Sequence, residues 1–375
     1  PAICWERLSY SGMIATGRTV FAGTNLEEFQ AEIIATLNNV SAPNRSLILA
    51  KLSGGPIADA GVIAGMSGSP VYIGGKLVGA VSYAIGQFPK TALAGITPIA
   101  EMIADVDGPH SAARTASADF RVGSHATPAE VYAALTRVLT RASAPLVPMP
   151  ANIAATAGLE RAALRPIDLS LSMRGFDASI TDAFGVSSAV APALAQTTPS
   201  TLRPGDPVGV SLLRGDFEMG ATGTVTWVDG TRVYAFGHPF LALGPARMAM
   251  TRARVYTVLP SLASSMKIAD LGPAIGTISQ DRATAVGGDI GAEPHELSPS
   301  VPLINGRDTP RRFSFKIAQD PAMTPLFAYV SLINVLTSYQ RQTGILTVGM
   351  SATASFGADG TLAIDDLFTG DQALV

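Results

Sequence analysis

Apolar and polar residues alternate from Phe29 to Leu37. Phe29, Ala31, Ile33, Ala35 and Leu37 oppose Gln30, Glu32 and Thr36, with Ile34 the one break. A period of two is that of a strand with one buried face. Asn25-Leu-Glu-Glu could instead open a helix, which is the competing expectation here. Ser46–Leu52 is a second short apolar run. Val71–Tyr83 reads as a hairpin around Gly74-Gly75, because a two-residue primed turn needs positive φ at both positions. Residues 105–125 are small and polar and read as a linker or surface loop. Thr127-Pro-Ala-Glu130 carries a capping-box pattern with Pro at the first helical position. Tyr132, Leu135, Val138 and Leu139 then give a helical stripe. Residues 143–166 are rich in Ala and Pro and receive no element.

Strand character resumes at Ile167–Met173. Thr222–Phe236 predicts a second hairpin, turning at Asp229-Gly230 between β-branched and aromatic runs. Further strands are expected near 253–259, 312–318 and 345–356, with a tight turn at Asp359-Gly360. The 37 Gly and 26 Pro in 375 residues supply the turns that many short strands require. Only 15% of residues are charged and the net charge is −3. That excludes a disordered polyelectrolyte and offers no basic field for nucleic acid. Mean hydropathy is high at +0.31. Even so, every long apolar stretch is interrupted before the ~18 residues that a membrane span needs. Cys4 is the single cysteine, so no intrachain disulfide can form. A start at Pro1 rather than Met is the expectation for a trimmed N-terminus from which an export signal has been removed. No zinc, phosphate-loop or dinucleotide motif is present, and no cofactor is expected.

Gly65-Met-Ser-Gly-Ser-Pro70 is the most informative hexapeptide. Small neighbours around Ser67 would let a carbonyl approach its hydroxyl. Such a turn can also aim the N–H groups of Gly65 and Ser67 at one point, as an oxyanion hole. An ordinary loop into the next strand would give the same hexapeptide. The continuation separates the two. The turn runs into the Gly-Gly hairpin and then Gly79-Ala-Val-Ser-Tyr83. This order resembles trypsin-like proteases, which implies that Ser82 and Tyr83 line the strand that binds substrate backbone. Ala60–Pro70 followed by Gly75-Lys-Leu-Val-Gly-Ala-Val81 is similar, more closely, to the SpoIVB-type sporulation serine peptidases.

A Ser nucleophile needs a base, and the chain has four histidines. His110 and His125 lie in the polar linker, and His295 sits in Glu293-Pro-His-Glu296; all three read as loop residues. His238 follows a strand, in Ala235-Phe-Gly-His-Pro239. Gly223-Thr-Val-Thr226, Ala235-Phe-Gly-His238 and Gly276-Thr-Ile-Ser-Gln-Asp281 resemble the segment that carries the base in the same peptidase family. The acid stays open. Asp281, 43 residues after His238, ranks first, Asp59 second and Asp270 after them, with a Ser–His dyad as the remaining option. The family's own acid position falls at Leu52-Ser53, which is not acidic.

The resemblance covers roughly 12–103 and 204–295, with the Ser segment ahead of the His segment, the reverse of the family. It implies a mainly β protein of two chymotrypsin-like β-barrels in permuted order with a helical insertion. The expected division is 1–104 for the Ser barrel, 105–166 for linker and insertion, 167–300 for the His barrel and 301–375 for a β-rich extension. The implied protein is a bacterial serine endopeptidase, exported to the periplasm, cell surface or medium, acting on protein or peptide substrates, with self-processing among the implied activities. The dyad would form within one chain or across a homodimer. The alternative is a protease-fold binding or scaffold protein without turnover. Gly61 stands six residues before Ser67, where trypsin-like chains place the base of the primary pocket. It carries no acid, so a small or apolar substrate side chain is expected rather than Arg or Lys.

Overall fold

The Phe29–Leu37 alternation is strand, not helix. A computed structural model describes residues 11–40, 42–85, 91–109, 130, 131, 133, 147, 148, 163–183, 201–262, 264–306, 309–321, 323–339, 345–355 and 357–370. Within it, Leu26–Leu37 is one continuous strand whose Phe29, Ala31, Ile33 and Leu37 are buried. The break at Ile34 has a structural cause. Pairing with the next strand slips between Ile33 and Ala35, a β-bulge that adds one residue to the alternation.

That strand is β2. With β1 (Ile14–Val20), β3 (Leu47–Ser53), β4 (Pro70–Ile73), β5 (Lys76–Ile85) and β6 (Leu93–Pro98) it closes a six-stranded antiparallel barrel. Neighbours run β1-β2-β3-β6-β5-β4, and β4 returns to β1. The β4–β5 hairpin turns at Gly74 and Gly75, with φ +56° and +77°, as the Gly-Gly pair predicts. Phe29, Ile33, Ile48, Met66, Val71 and Ile96 fill the interior. Each such side chain stabilises by about 1.5–3 kcal/mol relative to exposure. Two short elements flank the barrel: α1 (Ile57–Ala60) just before the Ser67 turn and α2 (Ile99–Asp107) after β6. The sheet continues from β5 through β8 (Ala163–Pro166) to β7 (Val147–Pro148).

A second six-stranded ring comprises β10 (Pro207–Gly215), β11 (Glu218–Asp229), β12 (Arg232–Ala235), β13 (Gly244–Leu259), β14 (Met266–Arg282) and β15 (Ala285–Ile290). Its order is β10-β13-β14-β15-β12-β11, and β11 returns to β10. Here β11–β12 is the expected hairpin, with Gly230 at φ +58°. β9 (Ser170–Arg174) extends β11. β18 (Arg311–Ala318) extends β10 and itself pairs with β16 (Glu296–Leu297) and β17 (Ser300–Leu303). After α3 (Ala178–Ala183), a longer helix, α4 (Thr324–Tyr339), buries Leu326, Phe327, Val330 and Ile333 in the second core. β19 (Leu346–Ser355) and β20 (Thr361–Gly370) form a separate hairpin. The protein is thus mainly β and built on two barrels, with Ser67 on the first and His238 on the second. The helix expected at 127–142 lies outside the described residues except at Glu130, Val131 and Ala133.

Candidate active site

Ser67 sits in a turn that two positive-φ glycines shape, Gly65 at +88° and Gly68 at +95°. Gly68 N–H donates to the Val81 carbonyl at 2.7 Å, and Ser69 Oγ donates to the Met66 carbonyl at 2.6 Å. The turn is thereby fixed to β5. It is also fixed to the other barrel. Thr224 N–H donates to the Ser67 carbonyl at 2.8 Å, Thr224 Oγ1 to the Gly65 carbonyl at 3.0 Å and Thr226 Oγ1 to the Gly68 carbonyl at 2.8 Å. A side chain at Gly68 would run into the Thr224 backbone, so glycine is required there by space as well as by φ.

His238 follows the buried Phe236-Gly237 pair, with φ +71° and +74°. An aromatic residue in the left-handed region is strained, and the surroundings must hold it. They do so on two sides. Phe236 N–H donates to the Thr224 carbonyl at 3.3 Å, and the Gly237 carbonyl accepts from Thr97 Oγ1 at 2.7 Å. Thr97 Oγ1 in turn meets Ser82 Oγ at 2.7 Å. Ser82, read from the sequence as part of the substrate strand, thus uses its hydroxyl to position Thr97, which holds the residue before His238. Tyr83 is buried against Leu47, Leu49 and Leu164.

The imidazole is buried at 2% exposure, and Ser67 is fully buried. Burial pushes the His238 pKa down to about 4, against the carbonyls of Pro239 and Ile167, which favour the protonated ring. The ring is therefore neutral at neutral pH. Its Nδ1 lies 2.7 Å from the Pro239 carbonyl. A carbonyl only accepts, so Nδ1 carries the proton and Nε2 the lone pair. Among the described residues, neither Ser67 Oγ nor His238 Nε2 has a hydrogen-bond partner, so the two are not bonded to each other in this state.

The structure does not bring Asp281 to the imidazole. Its carboxylate accepts from the N–H groups of Phe240 at 2.7 Å, Leu241 at 2.7 Å and Leu243 at 3.2 Å. Both oxygens are thus committed to the loop after His238, and the triad role expected of Asp281 has no geometry here. Asp59 is exposed on α1, and Asp270 accepts from the Tyr256 hydroxyl at 2.8 Å. Among the described residues no carboxylate hydrogen-bonds to His238; the Pro239 carbonyl stands where an acid would. His295 is exposed, and His110 and His125 lie outside the described residues.

One neighbour of the turn went unnoticed in the sequence. Lys267 of β14 lays its alkyl stem beside Gly65, and its N–H donates to the Ala64 carbonyl at 3.0 Å. Its Nζ is buried and bonds Thr19 Oγ1 at 2.7 Å. Burial lowers its pKa to about 7, with Glu27 opposing the shift. A lysine lowered on folding makes the unfolded chain bind more protons between that value and ~10.4. Stability therefore rises with pH over that window. Thermal unfolding scans should show Tm climbing from pH 7 to 10, and Lys267→Met should remove most of that climb.

The two barrels meet at a seam that holds a buried serine and a neutral histidine. Residues 10–101 match the family model described as SpoIVB peptidase S55. The segment bearing Ser67 is thus similar to the SpoIVB-type peptidases, and the match supports a serine peptidase in general terms. It spans the first barrel and contains neither His238 nor Asp281. No curated protein and no solved structure matches the chain. Among the described residues, no helix is long and apolar enough to cross a membrane.

Proposed function

We propose that the chain is a bacterial, exported serine endopeptidase that cleaves protein or peptide substrates with a Ser67–His238 dyad. The observation that carries this is the buried pair of unpartnered atoms at the barrel seam: a serine Oγ and the lone-pair nitrogen of a neutral imidazole. In the first half-reaction Ser67 Oγ bonds to the substrate carbonyl carbon and its proton passes to His238 Nε2. The N–H groups of Gly65 and Ser67 receive the oxyanion. His238 then returns the proton to the leaving amine as the C–N bond breaks, and water repeats the sequence on the acyl-enzyme. The imidazolium that forms between the two transfers is oriented by the Pro239 carbonyl through Nδ1–H.

A fluorophosphonate probe tests the reading directly. Peptide mapping should find the label on Ser67, and Ser67→Ala should abolish it; an unlabelled wild type would reject the enzyme. A second reading, a protease-fold binding protein, is favoured by the missing Ser67–His238 bond and by the absence, among the described residues, of a carboxylate bonded to His238. It requires partner binding to survive Ser67→Ala while no label is taken up. Self-processing belongs to the first reading. Mass spectrometry of wild type and Ser67→Ala would show different termini, and identical termini would remove it.

The pH profile checks the base. Protonated His238 cannot accept the serine proton, so rate is lost as pH falls through its pKa. With that value near 4, the rate of Ser67 labelling should stay level from pH 8 down to about 5.5 and fall below that. A midpoint near 6.5, the value of a solvated histidine, would show that another histidine, or an opened form, governs the rate.

A further inference from the structure

One strand of the chain lies across this seam. β8 adds antiparallel to β5, with Ile85 opposite Leu164, Ala84 opposite Arg165 and Tyr83 opposite Pro166. Beyond Pro166 the pairing continues onto the candidate machinery. Ile167 N–H donates to the Ser82 carbonyl at 2.9 Å, and Gly65 N–H donates to the Asp168 carbonyl at 3.2 Å. Ile167 lies near enough to the His238 ring for its carbonyl to favour the protonated form. The Ile167 side chain is 4% exposed and belongs to the apolar cluster with Ile57, Ile63, Met66 and Val81, whereas the Asp168 side chain is 60% exposed.

We infer that residues 163–168 occupy the peptide groove of the Ser67–His238 site, with Ile167 in the pocket for the residue whose carbonyl is attacked. Substrates are then extended peptides carrying an aliphatic residue at that position, and they bind by displacing this strand. The inference rests on the dyad reading above.

Three features support it. The backbone bonds are those by which a peptide adds to a sheet edge, with alternate side chains entering pockets. The pocket is lined by aliphatic and thioether groups, which fits the absence of an acid at Gly61. The occupant also sits out of line for reaction. Gly65 N–H holds the Asp168 carbonyl, so that donor of the oxyanion hole is not free to receive the Ile167 carbonyl. A strand so held blocks the groove without being cut, and it accounts for the burial of both reactive atoms.

The test uses the whole chain and a fluorescein-labelled peptide of sequence Ala-Leu-Arg-Pro-Ile-Asp. Binding is read by anisotropy to Ser67→Ala and to Ser67→Ala combined with Ile167→Asp. The double variant should bind at least 10-fold tighter, and a peptide with Asp in place of Ile should not bind. Ile167→Ala, checked for folding by circular dichroism, serves if the Asp variant unfolds. Equal affinity for both proteins, or no binding to either, overturns the inference. In parallel, fluorophosphonate labelling of Ser67 should be at least 10-fold faster in Ile167→Asp than in wild type. Peptide binding as expected with no label in any protein would remove the dyad and leave the occupied groove. Labelling at one rate in both proteins with no peptide binding would leave the dyad and remove the occupant.

Discussion

Replacing His238 by alanine should slow acylation of Ser67 by roughly 10⁴–10⁶-fold, the loss found when one member of a nucleophile–base unit is deleted. The expectation follows from the state of the ring. Nδ1–H is committed to the Pro239 carbonyl, burial keeps the ring neutral, and Nε2 is the only nitrogen left to accept a proton. Ser67→Ala should give the same loss, and the double variant should be no worse than either single one, since the two act as a unit. Stopped-flow measurement of a chromogenic ester, with thermal melts to confirm folding, separates the outcomes. A loss below about 10-fold for His238→Ala would assign proton transfer elsewhere and leave the binding-protein reading as the better one.

The parts of this site that were legible in the sequence are those fixed by local chemistry. The Ser67 turn announces itself because Gly65 and Gly68 must adopt positive φ, and the hairpins at Gly74-Gly75 and Gly230 do so for the same reason. Period-two alternation identified β2 against the helix alternative, and the single break in it was a bulge. What stayed hidden depends on pairings between distant residues. Thr224 and Thr226 cap the carbonyls of Gly65 and Gly68 across about 160 positions, and nothing in a Thr-Val-Thr run tells a strand hydroxyl from a barrel clasp. Thr97 holds Gly237 from 140 positions away. The stretch 163–166 showed no pattern because β5, more than 75 positions earlier, supplies its partner. Spacing alone cannot distinguish a carboxylate facing an imidazole from one facing three backbone N–H groups, and Asp281 bonds the latter in this structure.

Asp281→Ala should therefore act on stability far more than on chemistry. The variant strands the N–H groups of Phe240, Leu241 and Leu243 beside a side chain that is 1% exposed. Each unsatisfied buried donor costs about 1–3 kcal/mol, and the three share one site, so the sum falls short of additive. A loss of roughly 3–5 kcal/mol in urea unfolding is expected. Asp281→Asn should recover only part of it, because the amide's own N–H₂ meets donors where the carboxylate met them with lone pairs. The kinetic expectation separates a loop anchor from a triad acid. Loss of an acid that holds the histidine tautomer costs about 10⁴ in kcat. Here the Pro239 carbonyl keeps that tautomer, so Asp281→Asn, assayed at a temperature where it is folded, should keep its acylation rate within about 10-fold of wild type. A 10⁴-fold fall in a folded Asp281→Asn protein would mean that the loop from Pro239 to Leu243 rearranges during the reaction and delivers the carboxylate to the imidazole after all.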